Sequence, residues 1–270
     1  MRNAIRRFFD EKKIEYYSVL DYRDTRLLNA EILEREGFAP KSAILFLVPY
    51  YAGEGVNLSR YATSLDYHII LRALGEELIT VLKAHAPSAR YKIYGDHSPI
   101  DERHAALVAG LGILGDNGLL INEKYGSYIF VADLITDIEP EVLGAVSPQP
   151  IRHCEGCGIC RAACPTGILS GRGEDCLSAI TQRKGELRED EISLMRKYNT
   201  AWGCDECQCH CPHNLNPIKT PISFFYEERV PELTLDLLDS LDKAGLRRRA
   251  FGWRGRSVPE RNLKILDEKG

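Results

Sequence analysis

Residues 154–165 read C-E-G-C-G-I-C-R-A-A-C-P, and the rest of the chain is best understood outward from them. Cys154, Cys157, Cys160 and Cys164 are separated by two, two and three residues, and Pro165 directly follows the fourth. Bacterial ferredoxins hold [4Fe-4S] clusters with this run. Three thiolates on one short, glycine-containing loop turn inward onto three irons of a cubane, whereas the fourth points away and, in two-cluster proteins, serves the other cluster. A second group, Cys204, Cys207, Cys209 and Cys211, again ends in Cys-Pro, and Cys176 stands alone between the groups. Nine cysteines thus suffice for two cubanes with one thiol left over.

The ferredoxin rule sends Cys154, Cys157 and Cys160 to one cubane, completed by Cys211 as the remote residue most like a final Cys-Pro ligand. The second then takes Cys164, Cys176, Cys204 and Cys207, with Cys209 as the spare. A disulfide framework is a poor alternative, because the cysteine count is odd, no secretion signal is expected at the N-terminus, and the length exceeds what a disulfide-dependent scaffold needs. Zinc on the knuckles Cys154/Cys157 and Cys204/Cys207 leaves Cys160, Cys164 and both Cys-Pro junctions unexplained.

The chain has 270 residues, 44% hydrophobic and 27% charged, ordinary for a soluble globular protein of one large or two small domains. No apolar stretch approaches the roughly twenty residues that cross a bilayer, so no membrane role is expected. Reduced thiols point to the cytoplasm. A net charge of −4 gives no bulk attraction to nucleic acid. However, Lys243, Arg247, Arg248, Arg249, Arg254, Arg256 and Arg261, interleaved with Phe251 and Trp253, form a local basic segment. It suits either phosphate gripping and base stacking or a solvated helix with an aromatic anchor.

Taken in order, residues 1–13 read as an amphipathic helix, 16–20 as a strand and 27–36 as a helix. Ala43 to Pro49 is a continuous apolar run, expected to be a strand covered on both faces. Tyr67 to Ala84 has helical apolar spacing, Tyr91 to Tyr94 is a short strand, and Gly95-Asp96-His97-Ser98-Pro99 marks a turn before a helix from Asp101. Gly110, Gly112 and Gly115 match G-x-G-x-x-G but follow a helix, so a dinucleotide site is not expected, while a glycine loop pressed against a large planar ligand stays open. Strands at 118–122 and 127–132, joined by a turn at 124–126, and a linker at 140–150 complete the first part. This predicts an α/β or α+β sheet-and-helix cofactor domain over 1–145, a ferredoxin-like two-cluster domain over 151–218 and a short helical, basic segment over 219–270.

Several stretches together resemble the epoxyqueuosine reductase family. They are Asp66-Tyr67-His68, Asp96-His97-Ser98-Pro99-Ile100-Asp101-Glu102-Arg103 (matching D-x-x-P-x-x-E-R), Ala109-Gly110-Leu111-Gly112, Lys124-Tyr125-Gly126-Ser127, the Cys154–Pro165 run, Gly203-Cys204-Asp205-Glu206-Cys207-Gln208, and Cys211-Pro212-His213-Asn214. The resemblance implies a cytoplasmic, monomeric oxidoreductase that converts epoxyqueuosine to queuosine in the anticodon loop of tRNA. Electrons would pass from a donor such as flavodoxin or ferredoxin through two [4Fe-4S] clusters to cobalamin, whose cob(I)alamin form attacks the substrate. The family's proton donor maps to Asp96, which read from its residues alone is an ordinary turn aspartate. Cobalamin contacts map to Gly110, Gly112, Asn117, Tyr67 and His68.

Two departures stand out. Gly115-Asp116-Asn117 replaces a common G-K-N segment, reversing a charge, and the C-terminal part is short beside the helical extension of many members. Both keep open a paralogue with the same cofactors acting on a small molecule. A non-catalytic ferredoxin-like carrier is a third reading, although such a carrier has no need of the N-terminal domain.

Overall fold

In the computed structural model, which describes residues 1–37 and 39–268, the chain opens with helix α1 (Arg2–Glu11), strand β1 (Tyr17–Asp21) and helix α2 (Ala30–Glu36). The apolar run follows as β2 (Ser42–Pro49), buried along its whole length. Next come α3 (Tyr67–Lys83), β3 (Tyr91–Tyr94), α4 (Glu102–Val108), the two-residue strands β4 (Ile113–Leu114) and β5 (Leu120–Ile121), and β6 (Ile129–Thr136). The main sheet has the order β1-β2-β6-β3 with every neighbour antiparallel, so the fold is α+β.

Side chains alternate across a strand, and β2 uses both faces. Phe46 meets Phe9 of α1, whose ring stacks on Tyr17 at 4.4 Å. Ala43, Leu45 and Leu47 join Ala105, Ala106 and Val108 of α4 in one core. On α3, Gly75 lies so close to β3 that an added Cβ would stand 2.1 Å from Ile93 Cγ1. The helix can cross there only because the position has no side chain.

Two local expectations change. The strand expected at 118–122 is reduced to β5 and pairs with β4, Ile113 opposite Ile121, rather than with the strand after it. A two-residue hairpin carries too few residues for alternation to reveal it. The segment expected as a linker begins with the short helix α5 (Pro140–Leu143) and is then tied down, Val146 donating to the Val19 carbonyl and Gln149 to that of Val108.

The chain divides into two compact units, residues 1–49 with 68–156, and residues 50–67 with Cys157 onward. This differs from the expected boundaries in two ways. Residues 50–67 leave the N-terminal unit because their backbone is used by later segments: Ala201 donates to the Asn57 carbonyl, Ser59 to that of Trp202, Thr220 to that of Tyr51 and Val230 to that of Thr63. The stretch 219–268 also shares one core with the cysteine region.

The second unit contains α6 (Ile159–Ala163), α7 (Leu177–Gln182), α8 (Glu189–Lys197), α9 (Glu206–Cys209), α10 (Leu235–Ser240), α11 (Lys243–Arg247) and α12 (Ser257–Asp267). Its core gathers Leu177, Ile180, Met195, Trp202, Leu238, Phe251 and Leu263. The wholly buried Asn262 of α12 donates from Nδ2 to the Thr181 and Ala201 carbonyls, each at 2.7 Å. Asn262→Ala removes both bonds and strands two acceptors, so denaturant unfolding should show a loss of about 2–4 kcal/mol with an unchanged m value. No helix among the described residues is long and apolar enough to cross a membrane.

Candidate functional site

The cysteine loop is shaped by its glycines and its proline. Gly156 and Gly158 take φ values of +65° and +75°, left-handed conformations that let the chain turn sharply between ligands. Cys160 then lies buried in α6. Cys164 ends that helix in an extended conformation, as Pro165 requires of its predecessor. Burial pushes the Cys164 thiol up, but the N–H groups of Leu169, Thr166 and Gly167 and the Thr166 hydroxyl, 3.7 Å away, bring it below its ordinary value. Hydrogen bonds of this kind tune cluster sulfurs.

Cys176 is exposed at the start of α7, whereas Cys204, just before α9, and Cys207, within it, are half-buried. Burial first, then the neighbouring thiols, raise both; Cys207 reaches about 12, with Cys176, Asp205, Cys164 and Cys160 acting on it. The structure therefore brings Cys160, Cys164, Cys176, Cys204 and Cys207 into one electrostatic neighbourhood. Thiols so disfavoured as bare anions fit a metal cluster that supplies the missing positive charge.

Cys154 closes the first unit, its N–H donating to the Leu114 carbonyl at 2.9 Å and its Sγ accepting from the Asp116 N–H at 3.3 Å. The residue that reverses the family's charge thus acts on Cys154 through its backbone. Cys157 is exposed and Cys211 buried. Cys209 has a role that spacing did not suggest, with Arg60 Nη1 lying 2.6 Å from its Sγ. Arg60 also donates from its N–H to Asp205 Oδ2 at 2.7 Å, and Ser59 Oγ lies 2.5 Å from Asp205 Oδ1. Asp205 caps α9, so this anchor holds the helix that carries Cys207. The G-C-D-E-C motif contained Asp205, but nothing in the sequence tied it to Arg60.

In the first unit, Asp96 occupies the β3–α4 turn at φ +72°. Its carboxylate is largely exposed, and Oδ2 lies 3.9 Å from His68 Nε2 on α3. His68 helps to line an open cavity of about 240 Å³ with Leu71, Arg72, Ile93, Gly95 and His97. Beneath the turn, Glu102 Oε1 accepts the Asp96 N–H at 3.1 Å, and the Glu102 carboxyl lies against that of the wholly buried Asp133. Burial first, then the adjacent carboxylate, push Glu102 up to about 9; burial also raises Asp133. Sequence reading missed this pair, since Asp133 sits in an otherwise apolar strand with no motif around it.

The expected corrinoid contacts have different settings. An added Cβ on Gly112 would meet the Ile121 carbonyl at 2.5 Å, so its bareness serves the β4–β5 hairpin. Gly110 needs its φ of +77°. Asn117 Oδ1 accepts the Leu119 N–H, while its Nδ2 is buried without a partner. Tyr67 packs edge-on against Tyr61 at 6.3 Å in the second unit. Cobalamin carries amide side chains around its ring, and the unmet Asn117 donor suits an amide carbonyl of such a group.

The basic segment is largely committed to structure. Arg249 is buried and donates to the Glu228 carbonyl, Arg256 to the Leu238 and Leu241 carbonyls, and Arg261 to those of Arg183 and Gly185. Trp253 remains exposed, with Arg254 stacked 3.7 Å over its ring.

Residues 153–214 match the model of a 4Fe-4S double cluster binding domain. An epoxyqueuosine reductase from Gloeobacter violaceus is 32% identical over 243 residues, covering 83% of this chain and 74% of that protein. The chain belongs to the epoxyqueuosine reductase family. The Listeria monocytogenes epoxyqueuosine reductase is 33% identical over 77% of this chain, which spans 56% of that relative's length. The solved epoxyqueuosine reductase of Streptococcus thermophilus superposes with a TM-score of 0.80 at 25% identity, covering 98% of this chain and 80% of that one. A family structure containing an epoxyqueuosine-modified tRNA stem loop shares the fold, with a TM-score of 0.77 at 22% identity over 98% of this chain and 80% of that one.

Proposed function

We propose that this protein reduces epoxyqueuosine to queuosine in tRNA, using two [4Fe-4S] clusters and cobalamin. The observation that carries the reading is Asp96, presented on a held turn beside His68 at the rim of an open cavity, in a chain that also carries the full cysteine complement. When bound, cobalamin would supply the strong nucleophile and electron pair that the deoxygenation needs. The chain's own part is acid catalysis and electron conduction. Asp96 delivers a proton to the leaving oxygen, with His68 orienting its carboxyl. Gly110, Gly112, Asn117, Tyr67 and His68 frame the corrinoid.

Cys154, Cys157, Cys160 and Cys211 hold one cluster, and Cys164, Cys176, Cys204 and Cys207 the other. We take the donor to be a low-potential flavodoxin or ferredoxin and the working form to be a cytoplasmic monomer. The family relative solved with a modified tRNA stem loop supports tRNA as substrate. A second reading, a paralogue acting on a small molecule, is favoured by the arginines of the basic segment that are spent on backbone carbonyls.

The deciding experiment is anaerobic reconstitution with iron, sulfide and cobalamin, then turnover of a stem loop carrying epoxyqueuosine. Conversion supports the first reading. Full clusters with bound corrinoid and no conversion would move the assignment to the paralogue.

A further inference from the structure

Two carboxyl groups to which the reading above gives no task lie directly beneath Asp96. Asp133, in β6, has no exposed surface and accepts a hydrogen bond from Ser98 Oγ at 3.1 Å. Glu102, opening α4, has its carboxyl against that of Asp133 and accepts the Asp96 backbone N–H at 3.1 Å. Asp96 is not glycine yet holds φ +72°, a left-handed conformation that aspartate adopts more readily than most residues and that local hydrogen bonds can hold. The backbone bond to Glu102 is one such bond, and Ser98 ties the same turn to Asp133. Ser98 Oγ also accepts the Ile100 N–H at 3.2 Å, so the turn is fastened at Asp96 and again at Ser98.

We propose that Glu102, clamped by the buried Asp133, is the positioning residue that holds the Asp96 turn in its working conformation. The idea deepens the reading of Asp96 as the acid and rests on it for its catalytic meaning, although the clamp itself can be measured without turnover.

Two carboxyl groups hydrogen-bond to each other only when one is protonated. Other titratable groups facing the pair are Asp96 from the turn, Tyr94 from β3, which pairs with Asp133 in the register, and Tyr22 after β1. His68 of α3 faces Asp96, and Arg103 is directed to the Gly118 carbonyl. With burial and Asp133 raising Glu102 from 4.5 to about 9, the folded chain keeps a proton that the unfolded chain releases. The clamp is therefore complete below the ordinary carboxyl value and is lost as pH rises through about 9. Once both groups are ionised they repel, and the acceptor of the Asp96 N–H moves away.

The test is amide hydrogen exchange across residues 95–102 of the reconstituted holoenzyme, from about pH 7 to about pH 10, in wild type, Glu102→Gln and Glu102→Ala. Glutamine keeps an acceptor for the Asp96 N–H and removes the Glu102 titration, and its amide donates to Asp133 when that carboxyl, raised by burial, is ionised. The wild-type turn is expected to open with rising pH, exchanging about tenfold or more faster than the intrinsic base-catalysed increase. Glu102→Gln follows only the intrinsic increase and retains turnover. Glu102→Ala exchanges fast at every pH and loses about tenfold or more in kcat with little change in KM.

A tight turn in Glu102→Ala, or the same extra pH dependence in Glu102→Gln as in wild type, overturns the proposal. If the alanine variant fails to fold, the comparison of wild type with Glu102→Gln decides alone. An active Asp96→Asn alongside a loosened Glu102→Ala would remove the acid role and leave the clamp standing. A tight turn in Glu102→Ala alongside an inactive Asp96→Asn would do the reverse.

Discussion

Asp96→Asn is expected to lower turnover by about 10²–10⁴-fold, the range a positioned general acid contributes, with both clusters and the corrinoid retained. The substitution isolates the proton. Asparagine tolerates the left-handed conformation that Asp96 adopts. The bond to Glu102 comes from the backbone N–H, so it survives the change. What is lost is a carboxyl able to deliver a proton, together with the charged partner of His68. Iron, sulfide and cobalt contents measured beside single-turnover rates check this, and an Asp96→Asn protein turning over near the wild-type rate would remove Asp96 from its role.

Cys207→Ala is the second large effect. It should reduce iron after reconstitution from about eight to about four per chain, abolish turnover and remove one of the two cluster signals. The thiol is half-buried beside Cys176, Cys164 and Cys160, and this desolvation favours its protonated form in the absence of metal. Its loss should thus leave one cubane a ligand short in a setting where water is a poor replacement. Cys209→Ala provides the contrast. Its sulfur meets Arg60, and Arg60 keeps Asp205 when the sulfur is gone, so the iron content should remain full. Iron loss in Cys209→Ala but not in Cys207→Ala would exchange the two assignments.

The parts of this molecule that follow from local chemistry were legible in the sequence. The cysteine spacing, the two glycines that turn the loop and the proline that ends α6 all act within a few residues of one another. The buried strand β2 declared itself as an unbroken apolar run, and Asp96 could be placed on its turn. The features that escaped depend on residues far apart in the chain. Asp133 meets Glu102 only through the pairing of β3 with β6, and Arg60 meets Asp205 only after residues 50–67 join the second unit. The β4–β5 hairpin was missed for a different reason, its strands being too short to carry a period. The basic segment stayed open between two readings because composition counts arginines without showing that several are spent on backbone carbonyls.

The placement of residues 50–67 in the later unit has a consequence for biosynthesis. On the ribosome these residues emerge early, flanked by segments of the other unit, and the partners of Asn57 and Ser59 at Ala201 and Trp202 are made much later. A chain growing at about 5–20 residues per second must keep this stretch unpaired for many seconds. Arg60 and Asp205 cannot brace α9 before then, so the iron centre borne by that helix must wait until Asp205 has been made. A fragment boundary at 145 would leave neither unit whole, and one at 218 would leave only the first intact.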